Sequence, residues 1–100
     1  MKMYTELQKV LDKALERASR GKGAARHATN QPFHEQPIVT EQYLLGPQAA
    51  LYQIRKKALE SLRLPPTQAQ KELLDIINYA AACFIYYDQT KEEDAPDASK

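Results

Sequence analysis

Met3, Leu7, Val10, Leu11, Ala14 and Ala18 recur at steps of three and four, the period of a helix with one apolar face, and predict a first helix over about 2–19. Gly21 suits its end, and Arg17, Arg20 and Lys22 put positive charge where the helix dipole favours it. The pattern then lapses. Residues 21–46, GKGAARHATNQPFHEQPIVTEQYLLG, carry glycine, proline and no sustained period, and read as a long loop in which 40–45 has room for a helical turn. Gly46-Pro47 opens a second helix over about 47–63, with Leu51, Ile54, Ala58 and Leu62 as its buried seam. Pro65-Pro66 breaks it, and the capping-box spacing of Thr67 and Gln70 opens a third helix over about 67–88, packed antiparallel on the second.

The third helix differs from the other two. In KELLDIINYAAACFIYY, residues 71–87, apolar side chains cover most of the girth, and one polar stripe remains: Glu72, Asp75 and Tyr79, with Asn78 beside them. A helix of that kind needs cover from more than one side, by the rest of a small domain or by a second copy. The fold class expected is therefore all-α: three main helices in a single helical domain, 1–88, that self-associates. A polar, acidic tail, 89–100, with little to bury is expected to be disordered.

Length supports self-association, because a chain of 100 residues is near the lower end of what one core stabilises unaided. The single cysteine, Cys83, lies within the apolar helix and reads as a small buried hydrophobe. No secretory signal pattern is visible and no apolar run approaches the roughly 20 residues that span a bilayer, so a cytoplasmic protein without a membrane partner is expected. The net charge of +1 hides an asymmetry. Residues 88–100 hold five acids and two bases, a net −3, which leaves +4 on the rest. That is too little for a duplex nucleic-acid reader, and no recognition-helix motif is present, but it suits a small polyanion.

Candidate chemistry lies in three places. Glu72 and Asp75, three residues apart, either offer oxygens to one hard cation such as Mg²⁺ or are first-turn acids neutralised by Lys71 or Arg63. The loop mixes cations with rings: Lys22, Arg26, His27 and His34 beside Phe33 and Tyr43. His27 and His34, seven residues apart without a nearby cysteine, lack zinc spacing and catalytic partners, and Arg26-His27 reads better as an anion contact. Arg55, Lys56 and Lys57 on the second helix, next to Tyr52, form either a solvated face or a phosphate site. No catalytic residue is assigned.

Two resemblances bear on these residues. KELLDIINYAAACFIYY is similar to the ExxD-bearing helix of the MazG-like all-α nucleotide pyrophosphohydrolases, with Glu72 and Asp75 at the motif's acids. That likeness implies a Mg²⁺-dependent hydrolase with Glu60, Glu72 and Asp75 as ligands. Where those enzymes carry a further acidic pair, this chain has Arg55, Lys56 and Lys57, and cations do not hold a metal. The longer run from Tyr52 to Asp88 resembles small helical phage proteins that sequester cyclic oligonucleotide signals of CBASS immunity, with Tyr52, Arg55, Lys57 and Asn78 at matching positions. This second likeness implies a non-enzymatic, homo-oligomeric binder of an anionic nucleotide-derived immune signal, of the cyclic oligonucleotide or cyclic ADP-ribose type, that needs no cofactor. Under it, Arg26, His27, Arg55, Lys56 and Lys57 contact phosphate while Phe33 and Tyr52 stack on bases. A protein that blocks a host enzyme through its basic loop is the remaining alternative.

Overall fold

The computed structural model describes residues 2–20 and 31–91, and among these every regular element is helical. A 3₁₀ turn, Lys2–Tyr4, leads into α1, Thr5–Arg20. A second 3₁₀ turn, Phe33–Glu35, precedes α2, Pro37–Leu45, which is followed by α3, Gln48–Ser61, and α4, Pro66–Thr90. All-α is therefore the architecture, with four helices rather than the three expected. None of them is long and apolar enough to cross a membrane.

The extra helix is α2, inside the stretch read as a loop. Its signals were local rather than periodic. Pro37 sits in its first turn, where the missing N–H costs nothing, and Gly46 ends it with φ of 83° and an N–H donated to the Gln42 carbonyl at 2.8 Å. Gly46 thus closes α2, while Pro47 caps α3. Any Cβ at Gly46 would meet the Gln48 side chain at 2.7 Å, and a positive φ strains other residues there. The capping box is also corrected. Pro65 is the cap of α4 and Pro66 its first residue, so Thr67 already lies inside the helix. At the other end, α4 continues through Thr90, past the expected boundary at 88, and Lys91 pairs with Asp88 at 2.9 Å. Gly21, Lys22, Arg26, His27 and the tail from 92 onward lie outside the described residues.

α4 is the central rod, and α1, α2 and α3 all pack on it. Arg17 meets Asp75, and Asn78 Nδ2 donates to the Ala14 carbonyl at 3.0 Å. α1 therefore runs antiparallel to α4, descending as α4 ascends. α3 folds back on α4 through residues 62–65, which sets Lys57 against Glu72 and Asp75. α2 crosses nearer the far end, where the Tyr43 and Tyr86 rings meet edge to face with centroids 5.2 Å apart.

The core is small. Ala14, Val39, Ala50, Ala82 and Cys83 are the buried apolar residues among those described. α3 turns a different face inward from the one expected: Ala50, Ile54 and Lys57 face α4, whereas Leu51, Ala58 and Leu62 are exposed. The physical reason is the acidic stripe of α4. Ion pairing draws the Lys57 side of α3 inward and turns the Leu51–Ala58–Leu62 seam outward.

One buried polar group stands out. Gln42 is fully buried, its Nε2 donates to the Ile38 carbonyl at 3.1 Å, and its Oε1 has no partner. An unsatisfied buried acceptor costs on the order of 1–3 kcal/mol. Gln42→Met, of similar length but without polar atoms, is expected to raise stability by about 1 kcal/mol in urea unfolding. A loss of similar size would show that Oε1 has a partner in solution.

Candidate functional site

The polar stripe of α4 faces inward and meets cations from two other helices. The Arg17 Nε donates to Asp75 Oδ1 at 2.6 Å and its Nη2 to Oδ2 at 3.3 Å, a two-pronged contact suited to a planar guanidinium. Lys57 Nζ lies 3.1 Å from Glu72 Oε1 and 3.2 Å from Asp75 Oδ2, between the two carboxylates. These four side chains retain only 20–24% of their exposure, so the cluster is shielded without being dry. Neither neutralising partner considered from the sequence, Lys71 or Arg63, fills that role; Arg17 and Lys57 do.

Each charge is held by the others. Burial pushes the Asp75 carboxyl upward, but hydrogen bonds from Arg17 and Lys57 outweigh it and hold the group below the usual carboxylate range. The hydrogen bond to Asp75 raises Arg17, against burial. Burial pulls Lys57 down, and its hydrogen bonds to Glu72 and Asp75 more than restore it. Cys83, by contrast, is simply raised by burial and is a poor nucleophile there.

Above this cluster opens a pocket of about 390 Å³, within the size range of small-molecule sites. Arg17, Lys57, Glu72 and Asp75 line one wall, and Gln36, Glu41, Gln53 and Asn78 add amides and a carboxylate. Phe33 and Tyr79 supply rings, and Ile38, Ala49 and Ala50 an apolar patch. The site thus draws on α1, α2, α3, α4 and the 3₁₀ turn that carries Phe33. The locked ion pairs fix the positions of side chains from three helices, so the wall is already arranged before any ligand arrives.

The expected residues divide. Phe33, Lys57, Glu72 and Asp75 converge on this pocket. Tyr52, Arg55 and Lys56 are exposed on α3 and do not line it, and neither does Glu60. Helical geometry separates them, since neighbours in sequence lie about 100° apart around the axis and only one of three consecutive cations faces the same way. Arg26 and His27 lie outside the described residues. His34 and Glu35 form a contact of their own at 3.7 Å. Among the described residues, no group of three or more His, Cys, Asp or Glu side chains is placed to hold a metal ion.

Sequence reading missed Arg17, Gln36 and Gln53. In the sequence, Arg17 reads as a dipole-stabilising cation at the end of α1. A cation at the edge of an apolar face, with an unpaired acidic pair elsewhere in the chain, was the available signal. No protein-family model, curated protein or solved structure matches the chain.

Proposed function

We propose that the protein is a non-enzymatic binding protein that captures a nucleotide-derived signal and acts as a homo-oligomer in the cytoplasm of a host cell, in the manner of the phage proteins it resembles. One observation carries this reading: a preformed pocket of about 390 Å³ in which amides and rings converge while the cations are already engaged. Arg17 and Lys57 are outnumbered in the pocket by Glu41, Glu72 and Asp75, so the interior suits the uncharged base of such a ligand better than its phosphates. Gln53 offers a donor and an acceptor to the edge of a base, Gln36 and Asn78, whose amide nitrogens donate to the Gln31 and Ala14 carbonyls, add acceptor oxygens, and Phe33 gives a face on which the base stacks. The phosphates then remain toward solvent, and Arg26 and His27 are assigned to them on charge alone.

The MazG-like alternative requires Mg²⁺ on Glu72 and Asp75. Lys57 Nζ, within 3.2 Å of both carboxylates, occupies the position such an ion would take, which is why binding is placed ahead of hydrolysis.

A thermal-shift series with nucleoside mono- and triphosphates, cyclic dinucleotides and cyclic ADP-ribose isomers is expected to show one class that raises the melting temperature. Mass analysis after denaturation should then recover that compound intact. Phe33→Ala is expected to weaken its binding about tenfold, the lower range of a lost stacking contact. Hydrolysed product formed with Mg²⁺ would establish the pyrophosphohydrolase instead. A flat response throughout would sink the ligand reading and leave the inhibitor of a host enzyme.

A further inference from the structure

The three acids of the pocket are not alike. Lys57 bridges Glu72 and Asp75, and Arg17 holds Asp75 from another helix. The Glu41 carboxylate, by contrast, makes no hydrogen bond or ion pair among the described residues. Its place at the pocket is set by α2. Pro37, Ile38 and Glu41 follow one another at steps of one and three and share the face that lines the cavity. Val39 and Gln42 are fully buried, which fixes the rotation of the helix and keeps Glu41 at that wall.

The groups left open to a ligand are mostly acceptors. Gln36 and Asn78 turn their amide nitrogens to the Gln31 and Ala14 carbonyls, at 2.9 and 3.0 Å, and leave their oxygens toward the cavity they line. Arg17 and Lys57, the strongest donors present, are engaged by carboxylates. With the two oxygens of Glu41 added, the pocket calls for N–H groups on its ligand. The unpaired carboxylate calls most strongly, because a hydrogen bond to a charged acceptor is roughly twice as strong as a neutral one.

We propose that Glu41 reads the base of the ligand and selects guanine, accepting N1–H and N2–H side by side on its two carboxylate oxygens. This rests on the nucleotide reading above and names the base. Guanine sets two donors next to each other on its pairing edge, the arrangement that a carboxylate accepts two-pronged. Adenine and cytosine set an amino group beside a ring-nitrogen lone pair, which would face a carboxylate oxygen and be repelled. Uracil offers a single N–H between two carbonyls.

The stacking ring is carried by the same stretch of chain. Phe33 begins the 3₁₀ turn that leads into α2, and backbone bonds from Gln36 N–H to the Phe33 carbonyl and from Val39 N–H to the Gln36 carbonyl join turn to helix without a break. Ring and carboxylate are thereby held in fixed relation, one for the face of the base and one for its edge. Glu41 is exposed, so water competes for it and the effect is set at the low end for a charged hydrogen bond, about tenfold.

Calorimetric titration of the wild type with GMP, IMP and AMP, which carry the same phosphate, is expected to rank them in that order. GMP should bind about tenfold more tightly than AMP, with IMP, which keeps N1–H and lacks the amino group, between them. Glu41→Gln should bring GMP down to the level of AMP. Loss of a negative charge by itself strengthens the binding of an anion, so this fall has the opposite sign from a general charge effect. AMP equal to GMP or tighter, or a GMP preference that survives Glu41→Gln, would overturn the role of Glu41 and leave the nucleotide pocket standing. A guanidinium presents the same pair of N–H groups, and binding of agmatine in place of GMP would overturn the proposal in favour of such a ligand. Silence toward all three mononucleotides and toward cyclic di-GMP and cyclic di-AMP would remove the nucleotide reading itself, and this inference with it.

Discussion

Asp75→Asn is expected to lower the melting temperature by about 10 °C at neutral pH, the equivalent of about 2 kcal/mol in a domain of this size. Asp75 accepts hydrogen bonds from Arg17 on α1 and Lys57 on α3, so its charge ties three helices together. An amide in its place keeps the shape, leaves two cations facing Glu72 alone, and points an N–H₂ toward donors. Breaking a fully buried pair costs about 3–5 kcal/mol, and partial exposure of this one reduces the effect through solvent screening.

The pH dependence identifies the cause. The folded-state pKa of Asp75 is depressed, so its contribution is present above the ordinary carboxylate pKa of about 3.9 and lost as pH falls through the lower folded value. Arg17 and Lys57 are raised, so theirs is present at neutral pH and lost only as alkali deprotonates the folded state. The difference between wild type and Asp75→Asn should therefore be full at pH 7 and shrink toward zero in acid, where Asp75 itself is protonated. A difference that persists unchanged at low pH would place the damage in packing rather than charge.

Lys57→Met carries the second largest expected effect, about 2 kcal/mol of lost stability at pH 7 from calorimetry or urea unfolding, and with it a new property. The methionine keeps the apolar stem but removes the ammonium from between Glu72 and Asp75. Two carboxylates that share one cation then present oxygens to a hard divalent ion. Mg²⁺ or Ca²⁺ is expected to restore part of the melting temperature of Lys57→Met, and to leave the wild type unmoved. A wild-type protein stabilised by Mg²⁺ at micromolar levels would instead mean that the ion displaces Lys57, and would restore the hydrolase reading to first place.

The cluster shows where sequence reading stops. The spacing of Glu72 and Asp75 identified one wall of the site, because residues three apart share a helix face whatever the rest of the chain does. Lys57 was named as a ligand contact on the strength of its neighbours Arg55 and Lys56. The structure turns Lys57 toward the acids and leaves Arg55 and Lys56 in solvent. The position of Arg17 at the edge of an apolar face does not name its partner. Arg17 lies 58 positions from Asp75, and a contact of that range depends on how two helices are rotated about their axes.

The helix α2 was missed for the opposite reason. Its nine residues are too few for a period to declare itself, and its ends rest on Pro37 and Gly46, which mark loops as readily as helix termini.

From sequence alone came the helical class, the break at Pro65-Pro66 and the long apolar helix that needs cover on several sides. These follow from periodicity and backbone stereochemistry, which act over a few residues. Only the tertiary structure decided which side of each helix faces inward. An apolar seam on α3 and a charged one competed for the same neighbour, and the unpaired acids of α4 selected the charged one. That choice gathered Arg17, Lys57, Glu72 and Asp75 at one pocket and left an apolar stripe of α4 uncovered.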